Sequence, residues 1–175
     1  MADTFFIGDT HFGHNNIIRF DSTKGCRSFA SIEEHDAELV KRWNSVVRPK
    51  DVVWHLGDFC FGKKNLEIAA QLNGDKRLVM GNHDHYPTAD YLKYFFKVLG
   101  AVEVNGMILT HIPVHPDQMD QGRYSHNIHG HLHSNVLPDK RYINVSAEQI
   151  NLTPISLDEV LKRCEYSAEN KQDAL

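Results

Sequence analysis

Short apolar runs and amphipathic stretches alternate along the first half of the chain. Apolar runs at residues 5–7 and 52–56 predict two buried strands, and residues 76–80 predict a third; each strand is followed by a glycine and then a polar residue. Between them, a helix is predicted from the Ser31 capping position to a stop before Pro49, and a second helix over residues 64–72. This order predicts a β-α-β-α-β unit.

The second half of the chain is richer in strand patterns. Residues 98–104 and 107–110 predict two strands joined by the turn at residues 105–106, where Asn-Gly is a strong hairpin signal. Two more strands are predicted at 127–130 and 141–145.

The end of the chain predicts one more helix and a polar tail. Ser156 and Glu159 form a second capping box, and the residues after about Tyr166 are polar and are expected to fray. The helices and strands together predict an α/β sandwich with mixed sheets.

Size and charge narrow the class of protein. The 175 residues, 41% of them hydrophobic, predict one domain spanning 1–175. The net charge of -4 argues against stable binding of duplex nucleic acid or of an anionic membrane surface. The first residues lack the basic start of a signal peptide, and no run approaches the roughly 18 apolar residues of a membrane helix, so a cytoplasmic protein is expected.

Histidine is the compositional anomaly, with twelve copies in the chain. Histidine binds transition metals and transfers protons near neutral pH. Polar, metal-capable residues follow the predicted strands in five blocks. These blocks are Asp9-Thr-His11, Gly57-Asp58, Gly81-Asn82-His83-Asp84, His111 and Gly130-His131-Leu-His133. Because strand ends in open α/β sheets converge on one crevice, function is expected there.

Each block also has an ordinary structural explanation. Asp9-x-His11 alone is more often a solvated turn, and a histidine such as His111 after an apolar run is more often a core residue. In extended chain, Asp9 and His11 would point the same way, and His131 and His133 would share one face of a strand. The joint pattern at several strand ends favours a common site over coincidence.

The five blocks, in this order, resemble the signature of the calcineurin-like metallophosphoesterase superfamily over residues from about 3 to 145. The resemblance implies a four-layer α/β/β/α sandwich with two mixed β-sheets and a binuclear metal site at the strand ends. It also implies hydrolysis of a phosphoester through a hydroxide that bridges the metals.

Carried over block by block, the resemblance implies two overlapping ligand sets. One metal would be held by Asp9, His11, Asp58 and His133, and the other by Asp58, Asn82, His111 and His131. Asp58 would be the bridge, because a carboxylate can hold two cations about 3.5–4 Å apart. The oxygen and nitrogen donors suit two divalent transition-metal ions better than calcium or magnesium, with manganese expected first and iron, zinc, cobalt or nickel as alternatives.

Further residues receive roles beside the metals. The resemblance implies that His83 stabilises the phosphoryl charge or protonates the leaving group, and that Asp84 hydrogen-bonds the His83 ring. Stabilising a turn is the alternative for Asp84. His14 and Arg19 are predicted to bind the substrate, although His14 could equally be an exposed loop histidine. Arg27 and Arg123 are further arginines expected to contact phosphate.

Two departures from the superfamily signature narrow the expected class of substrate. Protein phosphatases and diadenosine polyphosphatases carry an Asp-Arg-Gly segment after Gly-Asp, whereas this chain continues Gly57-Asp58-Phe-Cys-Phe-Gly62, and Asp84 replaces their glutamate. These departures favour the small bacterial or phage phosphodiesterase-like branch of the superfamily. The expected substrate is a phosphodiester, or else a phosphomonoester, in a small nucleotide-like molecule or at a nucleic acid end. The alternatives are a non-catalytic scaffold on the same fold and a mononuclear zinc hydrolase of another fold.

Overall fold

A computed structural model describes residues 2–20, 23 and 25–169 of the chain, with residues 166–169 described by their backbone alone. The strands in this part are β1 (Thr4–Ile7), β2 (Val52–His55), β3 (Asp75–Val79), β4 (Lys97–Leu99), β5 (Val102–Val104), β6 (Met107–Leu109), β7 (Asn127–His129), β8 (Tyr142–Asn144) and β9 (Ile155–Ser156). The helices are α1 (Ile32–Val46), α2 (Thr88–Tyr91), α3 (Pro116–Asp120) and α4 (Leu157–Glu169), with 3-10 helices at Lys63–Gln71 and Ala147–Ile150. Among these residues, no helix is both long and apolar enough to cross a membrane.

The strands form two mixed sheets. The first has the order β4-β3-β2-β1-β9, in which β9 alone is antiparallel to its neighbour. The second has the order β5-β6-β7-β8, in which β5 is the antiparallel strand. Gly8 follows β1 and donates its N–H to the carbonyl of Val145, which follows β8, at 2.9 Å. The carboxyl ends of β1 and β8 therefore meet.

The sheets pack face to face with helices outside them. Apolar residues of both sheets form one buried cluster. Trp43 of α1 stacks on His55 of β2, with ring centroids 6.4 Å apart. Met119 of α3 packs with Ile108 and Tyr142 of the second sheet in a separate apolar cluster. This arrangement confirms the expected α/β/β/α sandwich with two mixed sheets.

The serines of both predicted capping boxes accept the hydrogen bond expected of an N-cap. The backbone N–H of Glu34 donates to Ser31 Oγ at 3.1 Å, and that of Glu159 donates to Ser156 Oγ at 3.2 Å. The Glu34 carboxylate accepts from the backbone N–H of Ala30, the residue before the cap, at 2.9 Å. These bonds satisfy N–H groups that a helix start leaves free, so α1 and α4 begin where the sequence predicts.

Three predictions need correction. The strand predicted over residues 98–104 is two strands, since the chain leaves the first sheet after Leu99 and enters the second at Val102. An apolar run does not encode which sheet it joins, so its pattern alone hides the crossing. The helix predicted over 64–72 is a 3-10 helix. The tail expected to fray after about Tyr166 is helical to Glu169, and residues 170–175 lie outside the described residues.

Candidate metal centre

Loops that follow the carboxyl ends of β1, β2, β6 and β7 bring two groups of ligand-capable side chains together. Within each group, one ligand atom from every residue lies within 4.8 Å of the others. The first group is Asp9, His11 and His133, and the second is Asp58, His111 and His131. The two groups form the candidate metal centre.

Asp58 lies between the two groups. Its Oδ2 is 3.3 Å from His111 Nε2 and 3.8 Å from His11 Nε2. Asn82 follows β3 and places its side-chain oxygen 3.0 Å from His111 Nε2. All seven side chains predicted as ligands therefore lie in one place, with Asp58 in the position that a bridging carboxylate would need.

The backbone of the ligands is unusual. Five of the seven have φ between +50° and +68°, in the left-handed region that disfavours side chains; they are Asp9, His11, Asp58, His131 and His133. Such strain concentrates at functional sites. The expected extended geometry is therefore wrong for both pairs. Because β7 ends at His129, His131 and His133 lie in a loop and their side chains join different groups.

Two glycines leave room for the carboxylates. A Cβ atom on Gly81 would lie 2.2 Å from Asp58 Oδ1, and one on Gly130 would lie 2.5 Å from Asp9 Oδ2. Both distances are far inside van der Waals contact. These close approaches explain why glycine precedes Asn82 and His131 in the sequence blocks.

The donor atoms fit a bound cation. Asp9 Oδ1 and His11 Nε2 are buried, lie 3.9 Å apart, and have no hydrogen-bond partner among the described residues. Leaving buried polar atoms unpaired is costly, and a metal ion between them would remove that cost. Carboxylate, amide and imidazole donors without thiolate suit a divalent transition metal.

Burial and charge set the protonation states in the absence of a cation. Burial raises the pKa of Asp9 to about 6, although the nearby His111 and His133 lower it. Burial lowers the pKa of His11 well below its ordinary value, so this imidazole is neutral, as metal binding requires. Burial raises the pKa of Asp58, but the hydrogen bond and charge of His111 outweigh it and hold that pKa well below its usual range.

A buried Arg27–Glu148 pair supports the first group. Glu148 Oε1 lies 2.9 Å from His133 Nδ1 and accepts from Arg27 Nε at 2.7 Å. The Arg27 guanidinium also donates to the backbone carbonyls of Thr10, at 3.1 Å, and Asp9, at 2.5 Å. Arg27 is fully buried, so the expected contact of Arg27 with phosphate is wrong. Sequence reasoning missed Glu148, which carries no motif and whose only signal is an acidic residue in a buried segment.

His83 lies beside the centre. Its side chain is 44% exposed, and its Nε2 is 3.9 Å from Asp58 Oδ2. Its backbone N–H donates to Asp58 Oδ1 at 2.9 Å. His83 therefore fixes one Asp58 oxygen through its backbone and leaves its imidazole accessible from outside.

Asp84 does not hold the His83 ring, which corrects the role expected for it. Its carboxylate accepts instead from the backbone N–H groups of Asp58 at 2.7 Å, Phe59 at 3.0 Å and Gly81 at 2.9 Å. Three donors occupy the two oxygens because the loops after β2 and β3 both turn their N–H groups towards Asp84. Its contribution is to tie these two loops together, in line with the alternative of a turn-stabilising side chain.

The two residues predicted to bind substrate are placed differently. The His14 ring stacks on Phe61 with centroids 3.9 Å apart and lies 5.6 Å from the His11 ring. Arg19 is exposed in the turns that follow His14. The structure thus places His14 next to the first group, and the substrate contacts of His14 and Arg19 stay predictions.

Comparisons with known proteins identify relatives over most of the chain. No family model matches it. The uncharacterized protein MJ1445 of Methanocaldococcus jannaschii is 37% identical, over 94% of this chain and 93% of that protein. The gene 66 protein of Mycobacterium phage L5 is 31% identical, over 78% of this chain and 80% of that protein.

A solved structure has a similar fold over nearly the whole chain. The crystal structure of AQ665 from Aquifex aeolicus, a protein of unknown function, matches with a TM-score of 0.71 and 30% identity. The match covers 93% of this chain and 99% of that one. The chain therefore belongs to the protein family that includes MJ1445 of M. jannaschii and the gene 66 protein of phage L5.

Proposed function

We propose that the protein is a binuclear metal-dependent phosphoesterase of the calcineurin-like superfamily, which hydrolyses phosphodiesters in preference to phosphomonoesters. The observation that carries the proposal is the pair of ligand groups joined at Asp58, whose Oδ2 lies within 4 Å of a histidine from each group. A site that binds one metal would use three of these side chains and leave the others without a purpose.

Two divalent cations, with manganese expected first, would occupy the centre. Asp9, His11 and His133 would hold one cation, Asn82, His111 and His131 would hold the other, and Asp58 would contact both. Bound there, the cations would neutralise phosphate charge and supply hydroxide near neutral pH.

The protein's own groups prepare the reaction. Glu148 fixes the ring orientation of His133, and the backbone N–H of His83 orients Asp58. The exposed His83 imidazole would hold a proton at Nε2 for the leaving oxygen or stabilise negative charge on the phosphoryl group. Asp84 keeps the loops that carry Asp58 and His83 in register.

Turnover of bis-p-nitrophenyl phosphate, compared with p-nitrophenyl phosphate, tests the proposal. The wild type is expected to hydrolyse the diester faster when Mn²⁺ is supplied. Asp58→Asn should lose at least roughly 100-fold in kcat/KM, since even residues behind metal ligands cost 10–100-fold. Asp75→Asn, at the far end of β3, is the matched control and should keep full activity.

A contrary result would distinguish the alternatives. No turnover by the wild type with any of several divalent metals would refute the proposed activity. Purification without stoichiometric transition metal, together with that inactivity, would favour a non-catalytic scaffold.

A further inference from the structure

A polar cavity adjoins the first ligand group. It has a volume of about 650 Å³, within the usual range for small-molecule sites. His14 and Phe61 form its wall towards the centre, where the Phe61 ring lies 4.8 Å from the His83 ring. A substituent on a phosphate bound at the centre could therefore extend past His83 into this cavity.

The walls of the cavity are held in place by hydrogen bonds. The backbone N–H of Gly13 donates to Asp36 Oδ2 at 2.8 Å, which ties the loop carrying His14 to α1. The Asn65 side chain donates to the carbonyl of Phe61, which ties the 3-10 helix to the segment after β2. The cavity is therefore formed before a ligand arrives, which lowers the entropy cost of binding.

The lining chemistry favours an uncharged ligand rich in hydrogen-bonding groups. Amide side chains are supplied by residues such as Asn15 and Asn65, and carboxylates by Glu33 and Asp36. Among the described residues, Lys64 is the one lysine or arginine that lines the cavity, so the two carboxylates outnumber it and a second phosphate would be repelled. Amides and carboxylates match hydroxyl, amino and imino groups, and aromatic rings match the face of a planar base.

A second, smaller cavity adjoins the other ligand group. It has a volume of about 390 Å³ and is lined by Asn82 and His111 and by the apolar side chains of Met80 and Ile112. The hydroxyl of Thr110 there already donates to the carbonyl of Ile112 at 2.7 Å. This cavity therefore suits a less polar substituent.

We propose that the larger cavity binds the nucleoside portion of a phosphodiester, with its uncharged sugar and base, while the other ester group lies against the smaller cavity. The proposal rests on the phosphodiesterase activity proposed above. It gives each of the two ester groups of a diester its own cavity, whereas a phosphomonoester would leave one of the two cavities empty.

The test compares two nitrophenyl diesters with Mn²⁺ present. Thymidine 5′-(p-nitrophenyl phosphate) carries a nucleoside, whereas bis-p-nitrophenyl phosphate does not. The wild type should prefer the nucleoside ester by about tenfold in kcat/KM, the factor that a modest gain in binding gives. Adding a 3′-phosphate to the thymidine should reduce that preference, because the acidic wall repels it.

Variants that fill the cavity make the test specific. Glu33→Trp and Lys64→Trp each replace an exposed side chain on the wall, from different elements, so at least one should fold normally. Each should lower kcat/KM for the nucleoside ester by about tenfold while changing that for bis-p-nitrophenyl phosphate less than about threefold. Lys41→Trp, exposed on α1 away from the cavity, is the control and should change neither.

The outcomes separate the two proposals. Hydrolysis of both esters with equal efficiency, unchanged in both cavity variants, would overturn the nucleoside site and leave the activity standing. A higher kcat/KM for the 3′-phosphorylated ester would overturn the assignment of an uncharged ligand. Turnover of neither ester would refute the activity, and the nucleoside proposal with it.

Discussion

Removing the buried guanidinium of Arg27 should destabilise the protein strongly. Arg27 donates to Glu148 at 2.7 Å and lies 2.8 Å from His35 Nε2, besides holding the carbonyls of Asp9 and Thr10. Its side chain is 0% exposed and that of Glu148 is 2% exposed. Arg27→Met fills similar space but leaves the Glu148 carboxylate buried without its charge partner.

The size of the effect follows from that burial. Breaking a buried ion pair by removing one partner costs about 3–5 kcal/mol in the free energy of unfolding. Burial raises the pKa of Glu148, but His133 and Arg27 hold it at about 2, so Glu148 is a carboxylate at neutral pH in the wild type. Combining Arg27→Met with Glu148→Gln removes both charges. The double variant should lose less free energy of unfolding than the two single variants together, by about 1–3 kcal/mol.

Urea unfolding of metal-free protein, followed by tryptophan fluorescence, measures these values. Trp43 and Trp54 are both buried, so unfolding should change their emission. Arg42→Met is the control, because Arg42 pairs with Glu38 at the partly exposed surface of α1 and should cost about 1 kcal/mol or less. If Arg27→Met costs no more than the control, or if the double variant is additive, the Arg27–Glu148 pair does not support the fold in the way described.

Two other perturbations test the loops and the pH response. Gly81→Ala should lower metal content and kcat/KM at least roughly tenfold, because its Cβ would overlap Asp58 Oδ1. Gly25→Ala is the control and should have little effect, because no atom lies near its Cβ. Equal effects of the two variants would contradict this reasoning. Asp51 accepts hydrogen bonds from the side chain and backbone of Arg48, and these bonds hold the pKa of Asp51 well below its ordinary value. The ionised carboxylate therefore stabilises the fold above the unfolded-state pKa of about 4. This stabilisation is lost as the pH falls through the lowered pKa of the folded protein. The difference in Tm between wild type and Asp51→Asn should therefore be present at pH 7 and shrink below pH 4, and a difference that grows on acidification would refute the assignment.

The sequence predicts the chemistry of the site better than its geometry. Ligand types can be inferred because each strand end carries its own polar block, such as Gly57-Asp58, and the parallel strands bring those blocks together. The left-handed backbone of Asp9 and His133 could not be inferred, since no local rule places such residues there. The partners of Asp84 also depend on two loops that meet only in the folded chain.

Contacts between distant segments account for the other gaps. Glu148 lies 121 positions from Arg27, and neither has a local pattern that announces the other. The division of residues 97–104 between two sheets likewise depends on the packing of the whole domain. Motif order therefore identifies the groups that could bind metal, while the residues that support them become visible only in three dimensions.

Anomalous diffraction from crystals grown with Mn²⁺ tests the binuclear centre most directly. Two manganese peaks are expected on either side of Asp58, one beside Asp9, His11 and His133 and the other beside Asn82, His111 and His131. The Asp58 carboxylate should contact both peaks, which should lie about 3.5–4 Å apart. A single peak, or two peaks that do not share Asp58, would contradict the account.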